Sequence, residues 1–263
     1  MSLGGEFEDS ALAGKRYNKI VNISQLRQAC RSCSLRDLCL PVGMRPEDVH
    51  RLEHIVHVRG PMDRGAHLFR EGDRFESIYA VRSGALKTYH IDADGREHVL
   101  GFHLPGELLG LDAIYPRQNR CSAQALDASS VCVLPFGRLE QLAQEVPGPQ
   151  HQILRLMSKD LSVTSERATD HTAEEKLAGF LLGLSLRTGG KVDLTLVMPR
   201  RDIASYLRLA TETVSRLFAR FQKKKLIRVR RKRVELLDIK GLESIGGDCD
   251  IAFYGGYRQP LSR

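Results

Sequence analysis

Long apolar runs are missing from this chain of 263 residues. No stretch reaches the roughly 18–20 uncharged apolar residues of a membrane-spanning helix, so the sequence predicts no membrane span and no membrane partner. The beginning of the chain, "MSLGGEFEDSALAGKRYNKI", lacks a basic start followed by an apolar run, which argues against a secretory signal. The expected location is therefore the cytoplasm.

Cysteine is scarce, yet three of the six cysteines fall within "CRSCSLRDLC". The chain length and the wide separation of the other three exclude a small disulfide-bonded scaffold. In a reducing compartment, clustered thiols favour metal binding or redox chemistry. A zinc site, a redox couple at "CRSC" and an iron–sulfur centre with a fourth, distant ligand are all open at this point. The redox reading lacks the βαβ context in which C-x-x-C is typically catalytic.

Acidic residues are nearly absent from one segment near the end of the chain. Between Arg200 and Arg233 there are thirteen Lys or Arg residues and only two acids, which gives this segment a net charge of +11. The whole chain carries +8, so the remainder is mildly acidic. A basic block confined to one part of a chain predicts a polyanionic partner such as nucleic acid.

The central part of the sequence has the pattern of a small antiparallel barrel or roll. From about residue 58 to 135, short apolar or alternating runs are separated by turns that contain glycine. Within it, "SIYAVRSGALKTYHI" and "DADGREHVLGFHL" predict two strands joined by a turn rich in Asp and Gly.

A long helical stretch follows the roll, with a predicted break near residue 170. Residues recurring at about 3.6-residue spacing form a mainly apolar stripe in its first half. This stripe is expected to pack either on the roll or on its own copy in a second subunit. Its members are Ile153, Met157, Leu161, Thr164 and Ala168.

The basic segment contains the most specific pattern. "RRDIASYL" predicts a short helix and "RLA" a tight turn, with Thr211 as the N-cap of a second helix that runs to about Lys223. Apolar residues at i, i+3, i+4 and i+7 give this second helix one buried face. They are Val214, Leu217, Phe218 and Phe221.

The opposite face of the second helix has the side chains that read DNA bases. Arg216 can donate two hydrogen bonds to guanine, Glu212 can accept one from cytosine, and Ser215 is small enough for close approach. The strand-like segment that follows is rich in cations, as a β-wing lying over the DNA backbone would be. The predicted DNA-binding set is Thr211, Glu212, Thr213, Ser215 and Arg216.

A roll of short strands, a long helix and a winged helix-turn-helix, in this order, resemble the cyclic-AMP receptor superfamily of bacterial transcription regulators. Within it, "ETVSRL" together with "CRSCSLRDLC" is similar to the FNR (fumarate and nitrate reduction) branch, the anaerobic iron–sulfur regulators. The resemblance implies an α+β fold in five parts. These are an N-terminal cluster-binding segment (1–45), an antiparallel β-roll like a cyclic-nucleotide-binding domain (46–145), a dimerisation helix (146–170), a winged helix-turn-helix domain (171–245) and a tail (246–263).

The resemblance also implies a cofactor, a 4Fe–4S cluster. Its ligands would be Cys30, Cys33 and Cys39, with Cys132 of "SSVCVLPF" preferred to Cys121 as the fourth. Thiolates bind zinc as well, but structural zinc usually takes its thiolates as two close pairs. By the same resemblance, oxygen converts the cluster to 2Fe–2S, the homodimer separates and DNA is released.

The remaining implications concern partners. The expected DNA target is a TTGAT-type inverted repeat in promoters, with Arg216 on the guanine, Glu212 on its paired cytosine and Ser215 on a neighbouring thymine. The turn at residues 92–96 is expected to contact RNA polymerase, and no enzymatic activity is expected. A cyclic nucleotide is not expected either, because Cys121 stands where the superfamily places a phosphate-binding arginine.

Overall fold

The computed structural model describes residues 30, 33–35, 39–41, 44–166 and 171–246, with the side chains of residues 147 and 159–166 excepted. Its helices are α1 (Pro46–Ile55), α2 (Phe136–Glu145), α3 (Pro147–Glu166), α4 (Ala173–Arg187), α5 (Arg200–Leu207), α6 (Thr211–Lys223) and α7 (Ile239–Gly246). Its strands are β1 (His57–Met62), β2 (His67–Phe69), β3 (Ser77–Ser83), β4 (Leu86–Ile91), β5 (Glu97–His103), β6 (Leu108–Leu109), β7 (Ser122–Ala125), β8 (Ser129–Pro135), β9 (Asp193–Thr195), β10 (Ile227–Arg230) and β11 (Arg233–Leu236).

Strands β1 to β8 form the predicted roll from two four-stranded antiparallel sheets, in the orders β1-β8-β3-β6 and β2-β7-β4-β5. Apolar side chains from both sheets, among them Leu68, Leu86 and Val131, fill the space between them. The predicted hairpin is β4 and β5, but the segment "SIYAVRSGALKTYHI", predicted as a single strand, is divided into β3 and β4. Gly84 links β3 to β4 at a φ of +78°, where an added Cβ would lie 2.2 Å from the Ser129 hydroxyl oxygen, so only glycine fits this turn.

A second apolar core, the outer core, lies against the outward face of the β1-β8-β3-β6 sheet, the first sheet. Helices α1 and α2 pack there, and so do Leu40 and Met44 from the N-terminal segment and Leu156 from α3. The N-terminal segment and the long helix therefore share one packed core, and a change in the order of one is felt by the other.

The C-terminal domain joins α4 to α7 with a small sheet of order β10-β11-β9. The break predicted near residue 170 falls between α3 and α4. Helix α4 begins with a capping box, in which the Thr172 hydroxyl accepts from the Glu175 amide at 3.3 Å and the Glu175 carboxylate accepts from the Thr172 amide at 3.0 Å. No helix among the described residues is both long enough and apolar enough to cross a membrane.

Buried charges hold the roll against the C-terminal domain. Lys87 of β4 donates to Asp202 of α5 at 3.0 Å and also to Glu97 of β5. The side chains of Lys87 and Asp202 are only 3% and 4% exposed. A second pair links Arg187 of α4 to Glu107 at 2.8 Å, and both of these side chains are buried as well.

Candidate metal centre and candidate nucleic-acid interface

Three of the predicted ligands lie in the N-terminal segment, beside the outer core. Cys30 is buried, and Cys33 and Cys39 are partly buried. The Cys33 amide donates to the Cys30 carbonyl at 3.4 Å, which closes a turn between these two thiols. Cys30 belongs to the outer core, and Cys39 packs against it.

Cys132 reaches the same core from the roll. It lies in β8 opposite Val58 of β1 and Ala80 of β3, so it stands in the middle of the first sheet. Its neighbours Val131 and Val133 face the inside of the roll. Because side chains alternate along a strand, Cys132 faces outward, and it packs against the outer core with Cys39.

The four thiols are close enough for each to interact electrostatically with the other three. Burial raises the pKa of Cys30 to about 12, and repulsion from Cys132 adds to the shift. Burial also raises the pKa of Cys39 to about 12. Without a metal these two sulfurs therefore keep their protons as neutral thiols. A bound metal displaces the protons and stabilises the thiolates.

The donor set suits a cluster better than a single ion. Four cysteine sulfurs in an apolar shell are the ligands that iron–sulfur clusters take, one for each iron of a 4Fe–4S centre. Among residues 30, 33–35, 39–41, 44–166 and 171–246, no group of three His, Cys, Asp or Glu side chains is placed to hold one metal ion. By the chemistry of their donor atoms, the residues present fit the four-iron group.

Cys121 lies inside the roll, on the opposite side of the first sheet from the other described cysteines. It belongs to the inner core of the roll, and its sulfur is 3.9 Å from a carboxylate oxygen of Asp112. Burial raises the pKa of this thiol to about 12, with the charge of Asp112 as the next cause. The structure does not bring Cys121 to the other four cysteines. Cys249 lies outside the described residues.

The acid of "PGELLG", which a nucleotide-binding roll would offer to a ribose hydroxyl, already has partners. Both oxygens of Glu107 accept from Arg187, at 2.8 Å and 2.6 Å, and the Leu104 amide donates to the same carboxylate at 2.9 Å. Directly before β7, the strand that would bind the phosphate, Cys121 is buried and Arg120 is exposed. The roll therefore has neither a free acid nor an inward arginine at these positions.

Helices α5 and α6 form the candidate nucleic-acid interface. Their bounds match the prediction, but the predicted N-cap is wrong. Thr211 is the first helical residue of α6, and no side chain caps this helix. Ala210 takes the cap position because it has an extended backbone while its carbonyl already accepts from the Val214 amide at 3.1 Å.

The two faces of α6 are divided as the sequence predicts. The apolar face is buried in the domain core, and Thr211, Glu212, Ser215 and Arg216 are exposed, while Thr213 is half-buried. Within the described part of the chain, neither Glu212 nor Arg216 has an ion-pair partner, so both are available to a ligand. The Ser215 hydroxyl donates to the Thr211 carbonyl at 2.9 Å, which leaves its lone pairs to accept a further hydrogen bond.

The start of α3 presents an apolar surface. Ile153 is half-buried, whereas Leu154 and Met157 are 62% and 37% exposed and line a groove of about 800 Å³ with Leu139 of α2. Leu154 was not in the predicted stripe, although its spacing of three to Met157 and seven to Leu161 would have revealed it. The side chains of Leu161 and Thr164, and all of Ala168, lie outside the described residues.

Two family models match this chain. A cyclic nucleotide-binding domain matches residues 61–146, and a Crp-like helix-turn-helix domain matches residues 175–245. The Transcriptional activator protein Anr of Pseudomonas protegens is 43% identical over 225 residues, which cover 83% of this chain and 92% of that protein. The Fumarate and nitrate reduction regulatory protein of Yersinia pestis is 37% identical over 226 residues, covering 83% of this chain and 90% of that one.

Among solved structures, FixK2 from Bradyrhizobium japonicum is similar with a TM-score of 0.67 and 26% identity. The match covers 73% of this chain and 96% of that one. The likeness therefore extends over nearly the whole length of these three proteins.

Proposed function

Because this chain belongs to the FNR-type branch of the cyclic-AMP receptor superfamily, we propose that it is an oxygen-responsive regulator that binds a TTGAT-type inverted repeat as a homodimer while it holds a 4Fe–4S cluster. The chain is a transcription regulator with a DNA-binding helix-turn-helix, and its relatives are regulators rather than enzymes. The cytoplasm is the proposed location. RNA polymerase is a proposed partner, through the exposed turn at residues 92–96.

The observation that carries the proposal is the meeting of four thiols on the outer face of the roll. The proposed ligands are Cys30, Cys33, Cys39 and Cys132, which interact with one another and not with Cys121. When bound, a 4Fe–4S cluster would supply an oxygen-sensitive bond between the N-terminal segment and the roll. The chain contributes the four sulfurs and an apolar shell that limits access of water to them.

The outer core provides the path from the thiols to the dimer helix. Leu40 of the N-terminal segment and Leu156 of α3 are buried in it together. Ordering the segment stabilises the position of α3, whose Leu154 and Met157 face outward. A second copy would cover these side chains, and the proposed interface consists of Ile153, Leu154, Met157, Leu161, Thr164 and Ala168. Because a third of this set, Thr164 and Ala168, is polar or small, the dimer depends on the added order.

Dimerisation determines DNA binding because each chain has one helix, α6, that reads the bases; we call it the reading helix. Two copies place two α6 helices on the two half-sites of a palindrome, and a monomer can hold only one half-site. On each half-site we assign Arg216 to the guanine, Glu212 to its paired cytosine and Ser215 to a neighbouring thymine. Thr211 and Thr213, at the N-terminal end of α6, complete the proposed contact set.

The roll is proposed to serve as a scaffold without a cyclic-nucleotide ligand. Arg187 of the C-terminal domain binds Glu107, the acid that a ribose would need, in a pair that is buried on both sides. Releasing this carboxylate would remove the opposite charge that accepts from the buried Arg187 guanidinium, which is strongly unfavourable.

The proposal is tested by an absorption spectrum of the anaerobically purified full chain, with iron and sulfide analysis, followed through the admission of air. We expect a brown protein with about four irons per chain, whose visible band changes in air while its anisotropy signal on a labelled TTGAT inverted repeat is lost. A colourless protein that iron and sulfide fail to reconstitute, and whose DNA binding is unaffected by air, would contradict the proposal and favour zinc or thiol chemistry.

A further inference from the structure

Four residues other than glycine have a left-handed backbone in the part of the chain that the structure describes, and all four are cations. They are Arg117, Arg208, Lys225 and Arg231, with φ between 54° and 57°. Glycine is the usual residue in this conformation because a Cβ is disfavoured there. At Arg117 local contacts explain the side chain, which lies over the Phe136 ring and 3.5 Å from the Glu140 carboxylate.

Arg231 lies in the turn of the β10–β11 hairpin, the wing. The flanking residues Arg230 and Arg233 are directly opposite each other in the ladder, so like charges face across the two strands. Such a pair is destabilising in an isolated hairpin. Residues 230 to 233 are all exposed, and none of them has an ion pair with another described residue. The wing turn therefore concentrates unneutralised charge at a cost to its own stability.

The wing turn lies beside the segment that leads into the first helix of the helix-turn-helix. The Lys232 carbonyl accepts from the Leu196 amide at 2.7 Å, and α5 begins four residues later at Arg200. In helix-turn-helix proteins the first helix crosses the DNA backbone while the second enters the major groove. This arrangement directs the wing turn toward phosphates.

Arg208 occupies the turn between α5 and α6. It ends α5 in the left-handed conformation, three residues before the first residue of α6, and its side chain is exposed. It too lacks an ion-pair partner among the described residues. Because the N-terminal end of a reading helix enters the major groove, a residue in the turn before it comes to the edge of the groove, where the phosphates lie.

We propose that Arg208 and Arg231 bind DNA phosphates on either side of the reading helix, and that these cations occupy glycine-type turns for that purpose. The inference rests on the proposed function only in taking duplex DNA as the partner. It does not depend on the cluster, on the dimer or on the base sequence of the site.

Lys225 provides a matched control in the same domain. Arg208 and Lys225 both end a helix with the same bonds, in which the left-handed residue's amide donates to the carbonyl three residues earlier and the next amide to a carbonyl five residues earlier. Both are exposed cations. Lys225, however, follows the C-terminal end of α6, about 20 Å along the helix axis from the end that enters the groove.

The test compares Arg208→Gly, Arg231→Gly and Lys225→Gly in the full chain. Binding to a fluorescein-labelled duplex of about 30 base pairs, with and without a TTGAT repeat, is measured by anisotropy between 50 and 200 mM KCl. Losing one phosphate contact makes the slope of log affinity against log salt less negative by about 0.9 per bound protomer. Between 50 and 200 mM KCl, the factor by which affinity falls should therefore be smaller for each of the first two variants than for the original chain, by about threefold to fourfold per bound protomer. Lys225→Gly should keep the original slope.

Thermal unfolding separates lost contacts from damaged folding. Each glycine relieves a disfavoured backbone conformation, so the unfolding midpoint should stay level or rise while DNA affinity falls at Arg208 and Arg231. Unchanged slopes at these two positions, or an equal fall at Lys225, would overturn the inference. If the original chain shows no preference for the repeat while both slopes still fall, the proposed site is wrong and the inference stands.

Discussion

Replacing Asp202 by alanine tests how the two domains are held together. The change removes one partner of Lys87, whose ammonium is buried between β4 and α5 and donates to Asp202 at 3.0 Å. Removing one member of a buried ion pair typically costs about 3–5 kcal/mol, because the other charge stays buried. Lys87 keeps Glu97 as a second, partly exposed partner, so we expect a smaller cost than this, about 2–3 kcal/mol.

For a protein of this size, a loss of 2–3 kcal/mol corresponds to a fall of about 4–12 °C in the unfolding midpoint. The assay is scanning calorimetry on the full chain. The double variant Lys87→Met with Asp202→Leu removes both charges and fills the space with apolar side chains. It should recover to within about 1 kcal/mol of the original chain.

The exposed pair of Arg51 and Glu145 is the matched control. Its distance of 2.9 Å is nearly the same, but the two side chains are 53% and 68% exposed. Glu145→Ala should therefore change stability by less than about 0.5 kcal/mol. If Asp202→Ala costs no more than Glu145→Ala, or if the double variant is as unstable as the single one, the interdomain pair does not have the energetic role that its burial indicates.

The metal centre, the reading helix and the dimer helix each make a separate prediction. Cys132→Ala should abolish iron retention after anaerobic purification while Cys121→Ala should retain it, and iron analysis showing the reverse would reassign the fourth ligand. Arg216→Ala should cost about 1–3 kcal/mol on the specific duplex and relax preference at the guanine, whereas equal loss on unrelated DNA would make it a phosphate contact. In anaerobic sedimentation Leu154→Glu should shift dimers to monomers. The control Leu186→Glu, at an exposed position of α4, should leave the dimers intact. If both variants behave alike, the dimer interface does not include Leu154.

Local patterns in the sequence were sufficient for the helix-turn-helix. The bounds of α5 and α6 and the burial of Val214, Leu217 and Phe221 follow from a 3.6-residue period within a short segment. The β4–β5 hairpin is equally local, because its turn residues and alternating strands are adjacent. The wrong prediction of Thr211 as the N-cap of α6 shows the limit of local patterns. The cap position is set by the extended backbone of Ala210 and not by the type of side chain.

The choice between the two candidate fourth ligands depends on the tertiary structure. Cys121 and Cys132 both lie far along the chain from the three clustered cysteines, and spacing alone does not exclude either. The sheet separates them because Cys132 faces the outer core with Cys30, while Cys121 is enclosed between the two sheets. Side-chain direction on a closed roll follows from how both sheets pack, which short-range periodicity does not contain.

The sequence by itself determined the separate parts of this protein: three neighbouring thiols, a roll, a helix with an apolar stripe and a basic reading helix. Only the tertiary structure decided which distant residues meet. Lys87 lies 115 positions before Asp202, and Glu107 lies 80 before Arg187, yet each pair shares a buried hydrogen bond. Charged residues so far apart in the chain become partners only when folding brings them together and buries both. No local sequence pattern contains this information.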